Sequence, residues 1–235
     1  MNSPSVPPKT PRIIWAGVVV LALIGLAAVT LRTLVLLWPV RFAVRNSPAA
    51  PLNAGFSRHE ALTFVHILPG ALFVILAPLQ FVHRIRERHL EFHRWSGRVL
   101  VADGLVIGTT ALIMSLKMNI GGPNETAATT LFAIVFLISL IKAYWHIRRK
   151  EVARHREWMI RTFAVAFGVA TTRPIVGTFF AFRRLPPHEF FGIAFWLGFT
   201  ITLLVGEFWI DWTRNHGPQA DEFRSTGQPG AAVPT

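Results

Sequence analysis

The stretch "RRKEVARHREWMIRTFAVAFGVATTRP", residues 148–174, passes from a charged segment directly into an apolar one. The apolar part continues to residue 182, which is long enough for an α-helix to cross the hydrocarbon core of a bilayer. Arg161 and Arg173 lie inside that apolar part. Because a charged side chain is costly within a bilayer, the stretch predicts a membrane helix whose arginines face the interior of a helical bundle.

The composition of the whole chain agrees with this interpretation. Of its 235 residues, 52% are hydrophobic and 15% are charged, whereas soluble domains contain about 25% charged residues. The apolar residues fall into six blocks, at 13–38, 60–82, 97–116, 126–146, 158–182 and 190–212. We therefore predict an all-α fold, a polytopic membrane bundle of six transmembrane helices.

The six blocks form one predicted domain, residues 13–212, between two polar tails. Residues 1–12 and 213–235 are rich in proline, glycine and serine, a composition typical of disordered segments. The first block is longer than the apolar region of a signal peptide and lacks a clear cleavage site, so we interpret it as a retained anchor. The chain contains no cysteine, which excludes disulfides and thiolate-ligated metal centres.

The positions of lysine and arginine predict the orientation of the bundle. The connections at 83–98 and 147–157 carry five of these residues each, whereas the connection between them carries only Lys117. Since cytoplasmic loops are enriched in lysine and arginine, both basic connections and both termini are predicted to be cytoplasmic. This distribution accounts for the net charge of +12 without a nucleic-acid partner, for which the chain shows no motif.

Several polar side chains lie within the predicted spans. We expect an intramembrane polar cluster that comprises Gln80, Asp103, Lys142, Arg161, Arg173 and Glu207. In the cytoplasmic half, Arg161 is predicted to pair with Asp103 or Glu207, and Lys142 with the other carboxylate, because ionisable groups in spans pair with one another. Loss of the Asp103 carboxylate would then leave a buried cation unpaired.

Two alternatives stay open for the cytoplasmic half of this cluster. Lys142 and Arg161 can instead extend to the inner headgroups, with their apolar stems along the helix. The charged pairs can set the register of the helices alone, or they can form a proton or ion path.

His66 and Arg173 lie at similar depth in the outer half, each close to a proline. Pro69 and Pro174 free backbone carbonyls that nearby groups must satisfy. Polar side chains beside such disrupted helices are one way in which membrane proteins build small polar sites. The alternative is a packed kink with a hydrogen-bonded histidine.

His66, His93 and His155 are the candidate cofactor ligands. A bis-histidine heme b needs two imidazoles from facing helices at one depth. His93, His146 and His155 all lie near the cytoplasmic surface and can supply such a pair, whereas His66 has no partner at its depth. We predict no metal site: His89 and His93 have the spacing of zinc ligands on a helix, but their loop is strongly basic.

Three motifs follow one another along the middle of the chain. They are "HILPGALFVILAPLQF" at 66–81, "HRWSGRV" at 93–99 and "RHREWMIRTFAVAFGVATTRP" at 154–174. Together they resemble a bacterial family of membrane proteins called domain of unknown function 2306, over about residues 60–182. The positions that match the family pattern are His66, Gln80, His93, Arg94, Gly97, Arg98, His155, Arg156, Trp158, Met159, Arg161 and Arg173.

This resemblance implies a multi-pass helical protein of the bacterial cytoplasmic (inner) membrane, and it supplies no reaction. The chain departs from the family pattern at Glu157, where a basic or neutral residue is expected. The departure bears on the charge of the loop and not on the fold.

A His-Arg pair stands just before the third span and again just before the fifth. We predict that His93, Arg94, Arg98, His155 and Arg156 form one basic cluster at the cytoplasmic face, which binds anionic lipid headgroups. A carboxylate such as Glu91, Glu157 or Asp211, or a bound lipid phosphate, is expected among these like charges. Topology alone is the alternative reason for the two pairs. We expect no cluster if another helix separates the third and fifth spans.

Three functions agree with these patterns. The first is a non-enzymatic binding or assembly factor with a polar intramembrane site. The second is a redox protein that uses a b-type heme or a quinone at His66, His93 or His155. The third is a small proton- or ion-coupled transporter that uses Asp103, Arg161 and Glu207. Motifs of hydrolases and nucleotide-binding proteins are absent from the sequence.

The orientation is testable with reporter fusions. We expect fusions at both termini and at residue 150 to report the cytoplasm, and fusions near residues 50 and 122 to report the outer side. The reason is that fourteen lysines and arginines flank the predicted cytoplasmic side and six flank the other. A reporter at residue 122 that is found in the cytoplasm would contradict the predicted orientation or the number of spans.

Overall fold

The computed structural model describes residues 12–38, 50–118, 120–182 and 186–215, and every regular element in these ranges is an α-helix. The helices are α1 (Arg12–Leu37), α2 (Ala50–Arg58), α3 (Glu60–Gln80), α4 (His83–Arg88), α5 (Leu90–Lys117), α6 (Gly122–Arg148), α7 (Val152–Phe182) and α8 (Pro187–Asn215). Among the described residues, six helices, all except the short α2 and α4, are long and apolar enough to cross a membrane. The predicted all-α bundle of six spans is confirmed.

Several helices extend beyond the predicted spans. α5 begins at Leu90, α7 begins at Val152, and α8 continues to Asn215. Hydropathy marks only the part of a helix that lies in hydrocarbon, whereas flanking polar turns continue the helix through the headgroup region. Of the two predicted tails, Arg12 and residues 213–215 form helix ends, and the rest lies outside the described residues.

Five helices follow one another around a ring. α1 packs against α3, α3 against α5, α5 against α6, and α6 against α7, and α7 closes the ring against α1. α8 joins this ring by packing against both α6 and α7. We call the end of the bundle that holds the 81–89 and 149–151 connections the basic end.

Aromatic side chains fill the ring near its middle and toward the basic end. Phe73 of α3 and Phe136 of α6 meet edge to face across the ring, with their centroids 5.9 Å apart. Nearer the basic end, the Phe81 ring packs against Phe163 at 5.3 Å and against Trp209 at 5.1 Å. Beyond Phe73 and Phe136, the other half of the ring encloses a cavity.

Glycines allow α7 and α8 to approach each other closely. Gly168 of α7 faces the ring of Phe199 on α8. A Cβ atom on Gly198 of α8 would lie 2.6 Å from Thr172 Cγ2 and 3.0 Å from the Thr172 backbone nitrogen. Small residues at such a crossing permit the close van der Waals packing that holds membrane helices together. This crossing fixes the position of α7 and of the two arginines that α7 carries.

We expect Gly198→Ala to destabilise the bundle and Gly177→Ala not to do so. Both substitutions gain helix propensity, but only the methyl at position 198 meets a neighbouring backbone, because no atom lies within 4 Å of a Cβ at Gly177. Overpacking of this kind costs about 1–3 kcal/mol. Denaturant-induced unfolding in mixed micelles measures the difference, and equal stabilities of the two variants would contradict the close crossing.

Candidate functional site

A cavity of about 520 Å³ occupies the half of the ring that lies away from the basic end. Side chains from α1, α3, α5, α6 and α7 form its walls, residues of α2 lie at its edge, and Phe195 and Phe199 of α8 complete it. Phe73 and Phe136 form its floor toward the middle of the bundle. We call this space the central cavity.

Three basic side chains line the central cavity, each from a different helix: Arg32 of α1, His66 of α3 and Arg173 of α7. Arg32 and His66 both lie within electrostatic range of Arg173. His66 and Arg173 are each partly exposed, and both line the cavity. The structure thus brings together His66 and Arg173, the two residues of the outer polar site predicted from the sequence.

The Arg32 side chain is held in place by residues of α2. Its Nη1 donates a hydrogen bond to Asn53 Oδ1 at 2.7 Å, and its guanidinium lies 4.0 Å from the centroid of the Phe56 ring. A guanidinium over an aromatic face gains a cation–π attraction. These contacts orient Arg32 without neutralising its charge.

His66 is held by the neighbouring helix α5. Its Nδ1 lies 2.9 Å from Thr110 Oγ1, and the Thr110 hydroxyl donates to the Val106 carbonyl at 2.7 Å. Since the hydroxyl hydrogen is used in this way, the imidazole donates from Nδ1 to the Thr110 oxygen. This hydrogen bond fixes the plane of the imidazole at the wall of the cavity.

Glu125 is the one carboxylate among the described residues that line the cavity. It accepts hydrogen bonds from the backbone amides of Ile120, at 2.7 Å, and Gly121. Those amides belong to the turn that leads into α6, where the helix dipole favours a negative charge. Glu125 therefore stabilises the start of α6. Neither Arg32 nor Arg173 forms an ion pair with a described carboxylate.

Arg161 and Glu207 form the ion pair of the inner polar layer. Arg161 Nε lies 2.6 Å from Glu207 Oε1, and Arg161 Nη2 lies 2.8 Å from Glu207 Oε2. This two-point geometry is the strong form of an arginine–carboxylate contact. The contact joins α7 to α8. Of the two partners predicted for Arg161, the structure therefore shows Glu207.

Asp103 and Lys142 do not pair as the sequence predicted. Asp103 is only 8% exposed, yet it has no hydrogen-bond or ion-pair partner among the described residues, and its Oδ2 is buried. Lys142 is exposed, and its Nζ lies 4.5 Å from the Trp158 ring centroid. The prediction was wrong because a matching depth does not establish a matching helix face. Gln80, also in the predicted cluster, donates to Ser96 Oγ at 2.7 Å.

Several residues of the predicted basic cluster lie at the basic end. His93 lies within electrostatic range of Arg94, His155 and also Arg86 of α4, and Arg86 is in turn close to Arg156. No described contact places Arg98 in this group. α6 packs between α5 and α7, which is the arrangement for which no single cluster was expected, so the cluster stays a prediction.

At the basic end, one imidazole contacts the helix that lies between α5 and α7. There His155 Nδ1 donates to the Ala143 carbonyl of α6 at 2.8 Å. One imidazole thus lies over the end of the helix that separates α5 from α7.

Two carboxylates at the basic end, Glu157 and Glu151, are already paired. Glu157, the departure from the family pattern, accepts two hydrogen bonds from Arg214, of which Nε to Oε1 is 2.6 Å. His146 Nδ1 lies 2.6 Å from Glu151 Oε2, and this hydrogen bond lowers the pKa of Glu151 below its ordinary value. Burial lowers the pKa of the Arg86 guanidinium below its ordinary value.

The structure does not bring the three candidate cofactor histidines together. His66 lies in the central cavity, whereas His93 and His155 lie at the basic end. Within the described ranges, no group of three or more potential ligands is arranged to hold a metal ion.

Sequence reasoning missed the central cavity, because a void depends on how helices are arranged around a ring. It also missed the roles of Glu125, which follows a Gly-Gly turn, and of Arg86, which resembled any other loop arginine. Arg32 carried a readable signal, since it is a single charge within an apolar span.

A family model described as "Predicted membrane protein (DUF2306)" matches residues 63–210. The matched region begins in α3 and ends in α8, so it contains every wall of the central cavity except α1 and α2. The match confirms the resemblance identified in the sequence and extends it through α8. No curated protein and no solved structure matches the chain. With its six spans, the chain is a multi-pass membrane protein in contact with the lipid bilayer.

The sequence predicted that loss of the Asp103 carboxylate would leave a buried cation unpaired. Because Asp103 has no cationic partner among the described residues, we now expect the opposite effect on stability. We expect Asp103→Asn to leave the free energy of unfolding unchanged or to raise it by up to about 1–3 kcal/mol, because it removes an unpartnered buried charge. Glu207→Gln is the matched control and should destabilise the bundle, since Glu207 is paired with Arg161. Thermal unfolding of the two purified variants provides the measurement. Loss of folded protein on Asp103→Asn would show that Asp103 has a cationic partner.

Proposed function

The chain belongs to the DUF2306 family of predicted membrane proteins, and we propose that it is a membrane-embedded binding protein whose central cavity holds an amphipathic anion. The observation that carries this proposal is Arg173. It lines the cavity, and its buried Nε has no hydrogen-bond acceptor among the described residues. Charged groups within spans are normally paired, so the anionic group of a ligand supplies what Arg173 lacks.

The neighbours of Arg173 favour the same kind of ligand. Arg32 adds a second guanidinium, and guanidinium groups match the planar geometry of carboxylates and the oxygens of phosphates. His66 adds an imidazole at the same wall. Because Glu125 is engaged by two backbone amides, it leaves this group of basic side chains without a counter-charge.

The rest of the central cavity suits a hydrocarbon chain. Its volume of about 520 Å³ lies within the range of small-molecule sites, which is about 300–1,000 Å³. Apolar residues predominate on its walls and floor, among them Phe73, Val74, Phe136, Val169 and Ala170. A ligand with an anionic head at the arginines and an apolar tail toward Phe73 and Phe136 would satisfy both parts of the cavity.

The inner charged pair has a structural role in this proposal. The Arg161–Glu207 contact joins two helices that also cross closely at glycines. Such a pair fixes helix register, and Asp103 does not extend it into a continuous charged path. This arrangement favours a binding protein over the ion-coupled transporter.

The proposal includes an orientation in the bacterial cytoplasmic membrane. The basic end faces the cytoplasm, where anionic lipid headgroups contact it. The central cavity then lies in the outer half of the bilayer.

Dodecanoate and dodecan-1-ol form a matched pair of probes for the cavity, since they differ in the charge of the head. In nanodiscs of zwitterionic lipid, we expect dodecanoate to raise the unfolding temperature more than the alcohol does. A ligand at one hundred times its Kd stabilises the folded state by about 2.7 kcal/mol. Arg173→Gln should abolish the difference between the probes. Arg148→Gln changes an exposed arginine near the basic end and should preserve it.

Equal stabilisation by the acid and the alcohol would contradict an anion site, and so would an unchanged response in Arg173→Gln. A Soret absorption band in the purified protein would instead favour the heme alternative predicted from the sequence. Proton- or ion-driven flux into proteoliposomes would favour the transporter.

A further inference from the structure

We infer that the basic end carries a second anion site, which binds a phosphate group through Arg86, His93 and Arg156. The site is separate from the central cavity, from which the aromatic floor at Phe73 and Phe136 divides it. This inference rests on the proposed function, in which anionic headgroups contact the basic end, and it assigns residues to that contact. It shares no side chain with the cavity, so either site can fail its test without the other.

The three side chains converge from three helices. Arg86 belongs to α4, His93 to the first turn of α5, and Arg156 to the first turns of α7. Arg86 lies within electrostatic range of both His93 and Arg156. Arg156 is fixed by a hydrogen bond from its Nη1 to Thr213 Oγ1 at 2.8 Å, and its guanidinium lies 6.0 Å from the centroid of the Trp209 ring.

Several hydrogen-bonding atoms at this site have no partner among the described residues. Arg86 Nε and His93 Nδ1 are buried and have no partner among the described residues. Trp209 Nε1, next to Arg156, is also buried without a partner, on a side chain that is 5% exposed. Buried polar atoms normally find hydrogen-bond partners. Three such atoms, two of them on the residues of the proposed site and one on Trp209 beside Arg156, therefore indicate a ligand rich in acceptors.

The nearby carboxylates do not supply those acceptors. Glu157 is close to Arg156, but both of its oxygens are bonded to Arg214. Glu87, beside Arg86 in the chain, pairs with His83 at 3.0 Å. The proposed site thus gathers two guanidinium groups and one imidazole. Glu87 and Glu157, the carboxylates within electrostatic range of its arginines, are each bonded to another side chain.

A phosphate group is the chemistry that fits. It offers several acceptor oxygens to donors that approach from different directions, and arginine binds it with charge-assisted hydrogen bonds. The site lies where a helical bundle meets the membrane surface, and basic pockets in that position bind lipid headgroups. The phosphate can come from a phospholipid headgroup or from the free ion, and the experiment separates the two sources.

Native mass spectrometry of the full chain, purified in a neutral detergent, measures lipid binding. We expect phosphatidylglycerol to bind more tightly than phosphatidylcholine. Arg86→Gln should weaken phosphatidylglycerol binding about tenfold, which corresponds to about 1.4 kcal/mol. Arg88→Gln is the matched control, because Arg88 lies on the same short helix and is exposed; it should change the affinity less than twofold. Arg86→Lys should retain part of the binding because it keeps the charge.

Inorganic phosphate tests the other source in the same detergent. If the free ion fills the site, phosphate should stabilise the wild-type protein more than chloride does at equal ionic strength. This stabilisation should be lost in Arg86→Gln and kept in Arg88→Gln. Lipid selectivity without this stabilisation assigns the site to a headgroup. The inference is overturned if Arg86→Gln and Arg88→Gln behave alike toward both phosphatidylglycerol and phosphate.

Discussion

A guanidinium group inside a membrane bundle needs an anion or a set of acceptors, and the two arginines of α7 meet this constraint differently. Arg161 receives a two-point contact from Glu207 on the adjacent helix. Arg173 lies beyond Phe73 and Phe136 and meets the central cavity instead. Because the intramembrane cost of an unpaired charge is high, the first arginine explains how α7 and α8 stay in register. The second is the observation on which the proposed anion site rests. The proposed function follows from the difference between two residues of the same type on one helix.

The ring arrangement makes this difference. Helices that cross at glycines, as α7 and α8 do at Gly198, leave no space between them. Helices that follow one another around a ring enclose a space, and side chains must fill it or leave it open. Large aromatic rings fill it toward the basic end, where Phe81, Phe163 and Trp209 pack together. Toward the other end the space stays open, and it is lined by Arg32 and His66 as well as Arg173. A bundle with one filled half and one hollow half has a rigid base that positions a binding site.

The basic end shows how the positive-inside pattern and a binding site can share residues. Arginines placed there for topology are ordinarily solvated. Here Arg86 and His93 are partly buried with unused hydrogen-bonding atoms, and Arg156 is fixed by Thr213. The charges predicted to orient the chain are thus the same ones that we propose to bind an anion. Pairing of Glu157 with Arg214, rather than with Arg156, keeps that arrangement cationic.

The sequence by itself determined the number and positions of the spans, because a bilayer requires about 20 apolar residues per helix whatever their packing. It also indicated that Arg161 needs a partner and that His66 and Arg173 lie at one depth, since depth follows from the rise of a helix. Only the tertiary structure decided which residues meet. The rotation of each helix about its own axis paired Arg161 with Glu207 and left Asp103 without a partner. The sequence does not specify this rotation, because the spans are apolar on nearly every face. The cavity was likewise decided by the closure of α1 onto α7, a contact between segments far apart in the chain that no local pattern encodes.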